Sequence, residues 1–323
     1  EAAGVTTLVG FAEALEATTP YHAWRAPLSE LLAVGPRGEP SPAILAALAD
    51  PAIAPLLPLL ATILPLQLAD TPQTAPLIAE GRANLAHTVV ARLCARELAG
   101  RPLLLILEDA QWLDSASWAL TLLLRFELAP LLLVLATRPI AASQPAPLRQ
   151  LLGDPATRHL RLAPLAPADV LTLVGHRLGV DELPDELAAF IRERAGGHPF
   201  FSEELALALR DAGVLVIEGR RARLVPDAAA LRGLDFPTTI RGVIAGRVDL
   251  LAPAEQLTLK VASVVGPVFT DLILRSVYPI DAEPRAIADH LSAFTALDLT
   301  IPLPPAPGPR HSFRHAVTHE VVY

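Results

Sequence analysis

The run LLLILEDAQWLD, residues 103–114, sets the architecture expected of this chain. Its opening residues, Leu103 to Leu107, are too few and too uniformly apolar for an amphipathic helix. They follow Arg101-Pro102 and stop at two acids, which predicts a strand buried on both faces of a parallel sheet. Glu108 and Asp109 then stand at the carboxyl edge of the sheet, where open α/β folds take their ligands. Carboxylates there suit Mg²⁺, which keeps water and phosphate oxygens beside a few protein oxygens. With two acids, one can hold the metal shell while the other orients or deprotonates a water. A pair of solvated acids at a strand end is the alternative reading of the same residues.

The run LLLVLATR, residues 131–138, predicts a second buried strand that brings Thr137 and Arg138 to the same edge. A guanidinium matches phosphate geometry and can also pair with the neighbouring acids. The competing reading is a surface arginine ahead of Pro139. A strand is also predicted over residues 5–9, bounded by Gly4 and Gly10, and a shorter one over 159–162. Helical spacing covers 23–33, 41–49, 75–99 and 115–126. Strands alternating with helices imply right-handed crossovers and a parallel-sheet α/β domain. The uncharged stretch 51–69 is interrupted by Pro51, Pro55, Pro58 and Pro65, and each interior proline removes a hydrogen bond that lipid cannot replace. It is read as a buried, proline-broken insertion rather than a membrane span.

Past Pro164 the pattern changes to consecutive helices over 167–178, 184–194 and 200–212, each opening at or near a proline. Residues 214–217 and 222–225 flank Glu218-Gly219-Arg220-Arg221 and predict a small hairpin. Helices follow over 238–250, 253–264 and 284–297, then a proline-rich stretch 301–309 and a last helix from near His315. The expected organisation is an α/β core over 1–164, a helical segment with the hairpin over 165–235, and a final domain over 236–323 that is cut at its end.

The 323 residues, at ~150 per domain, leave room for two domains or one large one with an appendage. With 52% hydrophobic and 19% charged residues, the chain can bury a sizeable core. Its formal net charge is -8, from 26 Lys+Arg against 34 Asp+Glu, and Lys260 is its only lysine. A surface so poor in cations argues against holding a nucleic acid or an anionic membrane. Cys94, the single cysteine, excludes an internal disulfide and any multi-cysteine metal site, and its apolar setting predicts a core residue. The opening residues lack the basic flank and cleavage site of a secretory signal, so a cytoplasmic piece of a longer protein is expected.

The two acidic and basic strand ends resemble the Walker B and sensor-1 region of bacterial STAND-class AAA-type ATPase modules, often described as Orc1-like. Such modules occur in multidomain adenylate/guanylate cyclases and in large LuxR-type regulators. PYHAWR (20–25) resembles the segment these modules carry after their second strand, GGHPFFSEEL (196–205) their GxP-bearing helix start, and RHSFRHAVTHEVVY (310–323) the end of their winged-helix domain. The resemblance spans essentially the whole chain in consistent order. It implies a P-loop NTPase-like core, incomplete at its N-terminus, followed by a helical segment and a winged helix. It also implies ATP or ADP and Mg²⁺ as ligands.

By the same resemblance Glu108 takes the Mg²⁺ position of Walker B, where aspartate is usual, and Asp109 the acidic position linked to water activation. Arg138 matches the sensor-1 arginine, with Thr137 before it. Gly197 and Pro199 match the turn near the nucleotide base, and His315 matches a winged-helix histidine that reaches the ADP phosphate. For His315 a second reading, packing at a domain interface, stands beside the first; for 196–199 the second reading is an ordinary interhelical turn. Asp114 matches a later acid of the family whose role is open. His311, His315 and His319 recur every four residues, but with no further ligand evident and no HEXXH they are not read as a zinc site.

One element of that family is missing from the sequence. No G-x-x-x-x-G-K-[ST] occurs, and Lys260 lies in an apolar helical run rather than a glycine-rich loop. Either the loop lies upstream in a parent chain, or it has been lost. The first case predicts an ATP-dependent switch whose partners are the nucleotide, the upstream phosphate loop and neighbouring effector domains. The second predicts a degenerate scaffold that mediates protein contacts without nucleotide. On either reading the fragment alone is expected to bind ATP weakly or not at all.

Overall fold

The uniformly apolar run before Glu108 forms the middle strand of a parallel sheet in the computed structural model. The structure describes residues 4–35, 38–39, 41–140, 144–225, 237–279, 284–304 and 308–323. In chain order the first part comprises β1 (Thr6–Phe11), α1 (His22–Leu31), α2 (Pro42–Leu48), a 3-10 helix Ala54–Thr62, α3 (Ala79–Leu98), β2 (Leu103–Glu108), α4 (Ser115–Glu127), β3 (Leu131–Leu135) and α5 (Ala146–Gly153). The sheet order is β1-β2-β3, with Leu8 across from Leu105 and Leu105 across from Leu133. The parallel α/β core expected from the sequence is therefore present.

Side chains alternate across a strand, so the register separates two faces. Leu103, Leu105 and Leu107 are buried on one face, in a cluster with Leu8, Trp24, Leu28, Val90, Leu93, Leu120 and Leu124. On the other face Val9, Leu104 and Ile106 are only half-buried. There Phe11, Leu132 and Val134 are exposed by 59%, 63% and 39%. This corrects the expectations that β2 is buried on both faces and that β3 is buried. The even-numbered side chains of β3 carry no apolar cover among the described residues, and only β2 pairs with it.

The expected strand over 159–162 does not form. Those residues pair with nothing among the described strands, and Leu160 and Leu162 are 82% and 94% exposed. An alternating apolar pattern suggests a strand, but without a neighbour its amide and carbonyl groups stay with water. The uncharged stretch 51–69 behaves as read: Pro58 sits inside the 3-10 helix, and Leu57, Leu59 and Leu60 are fully buried. No helix among the described residues is long and apolar enough to cross a membrane. Cys94 lies in the core, and burial pushes its thiol up to about 12.

Contacts divide the chain into two compact units that meet between Leu160 and Arg161. The second begins with α6 (Pro167–Leu178), α7 (Asp185–Ala195) and α8 (Pro199–Asp211), whose apolar faces share one cluster around Val174, Ile191 and Leu205. The hairpin β4 (Leu215–Glu218) and β5 (Arg221–Leu224) closes as predicted, with Glu218 opposite Arg221. A further cluster around Ile244, Leu259, Phe269, Phe294 and Phe313 is built by helices Ile240–Asp249, Pro253–Val265 and Pro284–Ala296 with three short strands. These are β6 (Val268–Thr270), β7 (Thr300–Leu303) and β8 (Arg310–Phe313), antiparallel in the order β6-β8-β7. The sequence reading did not find this sheet, nor α5, nor the helix Asp271–Ser276.

Candidate functional site

Strand β2 ends in a sharp reversal. Asp109 follows Glu108 with φ 52°, ψ 39°, a left-handed conformation that aspartate tolerates better than most residues. The turn is stitched to β3: Ala110 N–H donates to the Ala136 carbonyl (2.8 Å), and Ala136 N–H donates to the Leu107 carbonyl (3.0 Å). The ends of β2 and β3 are thus side by side, as the two motifs required. Glu108, Asp109, Thr137 and Arg138 are gathered at one carboxyl edge of the sheet.

A side chain that the sequence reading did not single out links them. Gln111 donates from Nε2 to Asp109 Oδ1 (2.8 Å), and its Oε1 accepts the Arg138 backbone N–H (3.0 Å). Thr137 Oγ1 donates to the Arg138 carbonyl (2.8 Å). Asp109, Thr137 and Arg138 are exposed, and Glu108 is half-buried on the open face, across from Phe11. No signal in the sequence marks Gln111, because its bonding depends on two strand ends meeting.

Among the described residues no group of three or more His, Cys, Asp or Glu could hold a metal ion by itself. The donors at this edge are carboxylate oxygens, without thiolate or imidazole. That donor set fits a hard ion completed by phosphate and water, such as Mg²⁺, and does not fit zinc. Glu108, with Asp109 beside it, is where such an ion would be held.

Asp114, whose role the sequence left open, is a structural clamp. It is the N-cap of α4, its Oδ1 accepting the amides of Ala116 and Ser117, each at 2.9 Å. Its Oδ2 accepts the Tyr21 N–H at 3.1 Å and the Ser117 hydroxyl. Tyr21 itself is left-handed, with φ 61°, and opens α1. Its phenol meets His87 Nε2 at 2.8 Å, while Trp24 Nε1 donates to Ser117 O (3.3 Å) and Thr121 Oγ1 (3.2 Å). The PYHAWR segment is thereby fixed to the start of α4.

The remaining candidates lie in the second unit. Gly197 has φ +81°, and a Cβ there would come within 2.7 Å of the Leu165 carbonyl, so the position requires glycine for close backbone approach. Pro199 is the first residue of α8, and two of the amides behind it are already taken: His198 Nδ1 accepts from Phe201 N–H (3.2 Å), and the His198 carbonyl from Ser202 N–H (3.0 Å). Within this unit the ring of Phe200, next to Pro199, packs on His315 with centroids 4.0 Å apart.

His315 is not on the last helix, as expected, but is the extended N-cap of Ala316–Val322. Burial, with the charges of Arg314 and Arg177, pushes it down to about 4, so it is neutral at pH 7. Its Nε2 and two nitrogens of Arg177, Nε and Nη2, are buried with no hydrogen-bond partner among the described residues. Asp298 faces this group, 3.4 Å from Arg177 and 3.2 Å from Arg314. His311 sits on β8 beside Asp271, and His319 bonds Ser263 O, so the three histidines have separate surroundings.

Comparison with known proteins reaches parts of this chain. Residues 169–223 match a family described as Domain of unknown function (DUF8739). Adenylate cyclase type 10 of Rattus norvegicus is 22% identical over 213 residues, covering 55% of this chain and 13% of that protein. The Homo sapiens protein of the same name is 20% identical over 213 residues, with the same 55% and 13% coverage. The chain therefore spans about 13% of the length of these relatives. Among solved structures, the Orc1 protein of Aeropyrum pernix, in complex with DNA, aligns over 98% of this chain and 77% of that chain. Its identity is 13% and its TM-score 0.37.

Proposed function

We propose that this chain is the greater part of an ATP-binding regulatory switch in a multidomain signalling protein. The observation that carries the reading is the meeting of Glu108 and Asp109 with Thr137 and Arg138 at one carboxyl edge of a parallel sheet. In this reading Glu108 holds Mg²⁺ through its carboxylate, Asp109 orients the attacking water, and Arg138 contacts the γ-phosphate. Mg²⁺ supplies charge neutralisation on the phosphate oxygens. In the second unit, Gly197 and Pro199 shape the turn that opens α8, and His315 packs beside that turn against the Phe200 ring. The second unit's C-terminal part, with its three-stranded sheet, serves as the winged helix. The core, helical and winged-helix portions correspond to residues 1–164, 165–235 and 236–323.

The glycine-rich loop with its lysine would come from an upstream segment of the parent. The exposed face of β3 and its outer edge, which pairs with no described strand, suit a further strand and helix next to Arg138. The partial similarity to type 10 adenylate cyclases supports a place in a cyclase-containing polypeptide, where the nucleotide state would control neighbouring effector domains. To move a two-state equilibrium from 1:99 to 99:1, ATP would have to favour one state by about 5.5 kcal/mol. The alternative reading is a degenerate scaffold without nucleotide, in which that loop has been lost from the protein.

The test is Mg²⁺-dependent binding of ATP and ADP by the parent polypeptide. The reading expects tight binding that weakens in Glu108→Gln and Asp109→Asn. Affinity unchanged in both variants removes the assignment of these acids, and no binding by the parent leaves the scaffold.

A further inference from the structure

The geometry points to Gln111 as a positioning residue that couples the end of β3 to the water-orienting acid at the end of β2. This inference rests on the nucleotide reading above and adds to it a group that acts only through Asp109. Gln111 spans the two strand ends with both halves of one amide: its NH₂ donates to Asp109 Oδ1 at 2.8 Å, and its oxygen accepts Arg138 N–H at 3.0 Å. The orientation is dictated by chemistry. Turned over, the amide would set its NH₂ against the Arg138 N–H and its oxygen against a carboxylate, losing both bonds.

Asp109 needs such a guide. It sits in the left-handed region at φ 52°, on a short turn, and its side chain is exposed. An exposed carboxylate on a kinked backbone samples several rotamers unless something holds it. Arg138 is also exposed, yet its backbone N–H is tied to the same glutamine. A shift of the β3 end when Arg138 meets a γ-phosphate would therefore move the oxygen end of Gln111, and with it the group that aims Asp109.

In the hydrolytic step a water oxygen bonds to the γ-phosphorus while the bond to the β–γ bridging oxygen breaks, and that oxygen leaves on ADP. The proton given up by the water passes to the Asp109 carboxylate and then to the released phosphate. Gln111 touches neither nucleotide nor water. It sets which way the Asp109 oxygen points.

Two substitutions separate the bonds. Gln111→Met keeps the length of the side chain and removes both hydrogen bonds. Gln111→Glu keeps an acceptor for Arg138 N–H but faces Asp109 with a like charge. In the parent polypeptide both variants should bind Mg·ATP with Kd within about 2-fold of wild type. Both should lose about 10- to 100-fold in kcat, the range typical of groups that orient residues at a metal site. Placed on Asp109→Asn, Gln111→Met should cost nothing more, because its effect runs through that carboxylate. Circular dichroism and Tm identify a variant that fails to fold, in which case Gln111→Glu alone carries the comparison.

Four results overturn the proposal. Wild-type turnover in Gln111→Met beside an impaired Asp109→Asn removes Gln111 and leaves the nucleotide reading standing. Fully additive losses in the double variant do the same. Tight Mg·ATP binding without turnover, in wild type, removes any water-orienting role while keeping the switch, whereas no nucleotide binding at all removes both.

Discussion

Replacing Asp114 by alanine removes two distinct supports at once, and their sum can be worked from the structure. The carboxylate caps α4 through the amides of Ala116 and Ser117, a role worth about 1 kcal/mol. It also accepts the N–H of Tyr21 at 3.1 Å, in a place where Tyr21 is buried to 4% exposure. Leaving that amide without a partner costs about 1–3 kcal/mol. The total is about 2–4 kcal/mol, which for a unit of this size corresponds to a fall in Tm of roughly 5–15 °C. Asp114→Ser separates the two parts, since serine caps a helix but is too short to reach Tyr21; it should lose only the second part.

The assay is direct because Trp24, Trp112 and Trp118 are the chain's tryptophans, and all lie in the first unit. Tryptophan fluorescence during thermal or urea unfolding therefore follows that unit alone, with buried Trp24 and Trp118 providing the signal. Wild-type stability in Asp114→Ser, or a loss in Asp114→Ala no larger than the cap's about 1 kcal/mol, would refute the clamp on Tyr21.

Other expectations are narrower. Cys94, with its thiol pushed up to about 12 by burial, should not react with a disulfide reagent at pH 8 in the native state and should react fully in urea. His315, pushed down to about 4, binds its proton more readily unfolded than folded. Its contribution to stability is complete above the ordinary histidine value near 6.5 and is lost as pH falls from there toward 4. An imidazole NMR titration, assigned with His315→Gln, should show it unprotonated at pH 5; a midpoint near 6.5 would contradict the burial argument. Arg247 donates to Glu204 Oε2 (2.6 Å) and Asp211 Oδ2 (2.8 Å), with Arg247 and Glu204 side chains 2% exposed. Arg247→Ala should cost about 3–5 kcal/mol by leaving a buried carboxylate unpaired, while the double change Glu204→Leu with Arg247→Met should restore most of it. Far-UV unfolding curves distinguish the two, and equal losses would mean the pair is not coupled.

The sequence made β2 legible because a short apolar run closed by acids has few other uses, and Leu131–Leu135 followed by the same logic. The hairpin around Gly219 was legible from its turn, a local signal that needs no distant partner. The sheet β6-β8-β7 was not, since its strands are three or four residues long, β7 contains Pro302, and pairing joins segments far apart in the chain. The opposite error came at 159–162, where alternation was present but no neighbour was. At the site, Glu108, Asp109 and Arg138 were readable as strand ends, whereas Gln111 was not, because a glutamine one residue past a turn reads as an ordinary solvated side chain. Nothing in the sequence marks Arg247, because its partners on α8 lie too far along the chain for spacing to reveal them.

The outward flank of β3 has a practical corollary for handling the protein. Leu132 and Val134 project from a strand whose outer amides and carbonyls pair with no described segment, without the lysines, prolines or bulges that usually blunt such a border. Two molecules meeting along that border could continue each other's ladder while hiding the same leucine and valine. Handled by itself, the chain is expected to become adhesive as its concentration rises, and a charged replacement at Leu132 is the natural remedy for stickiness on a column.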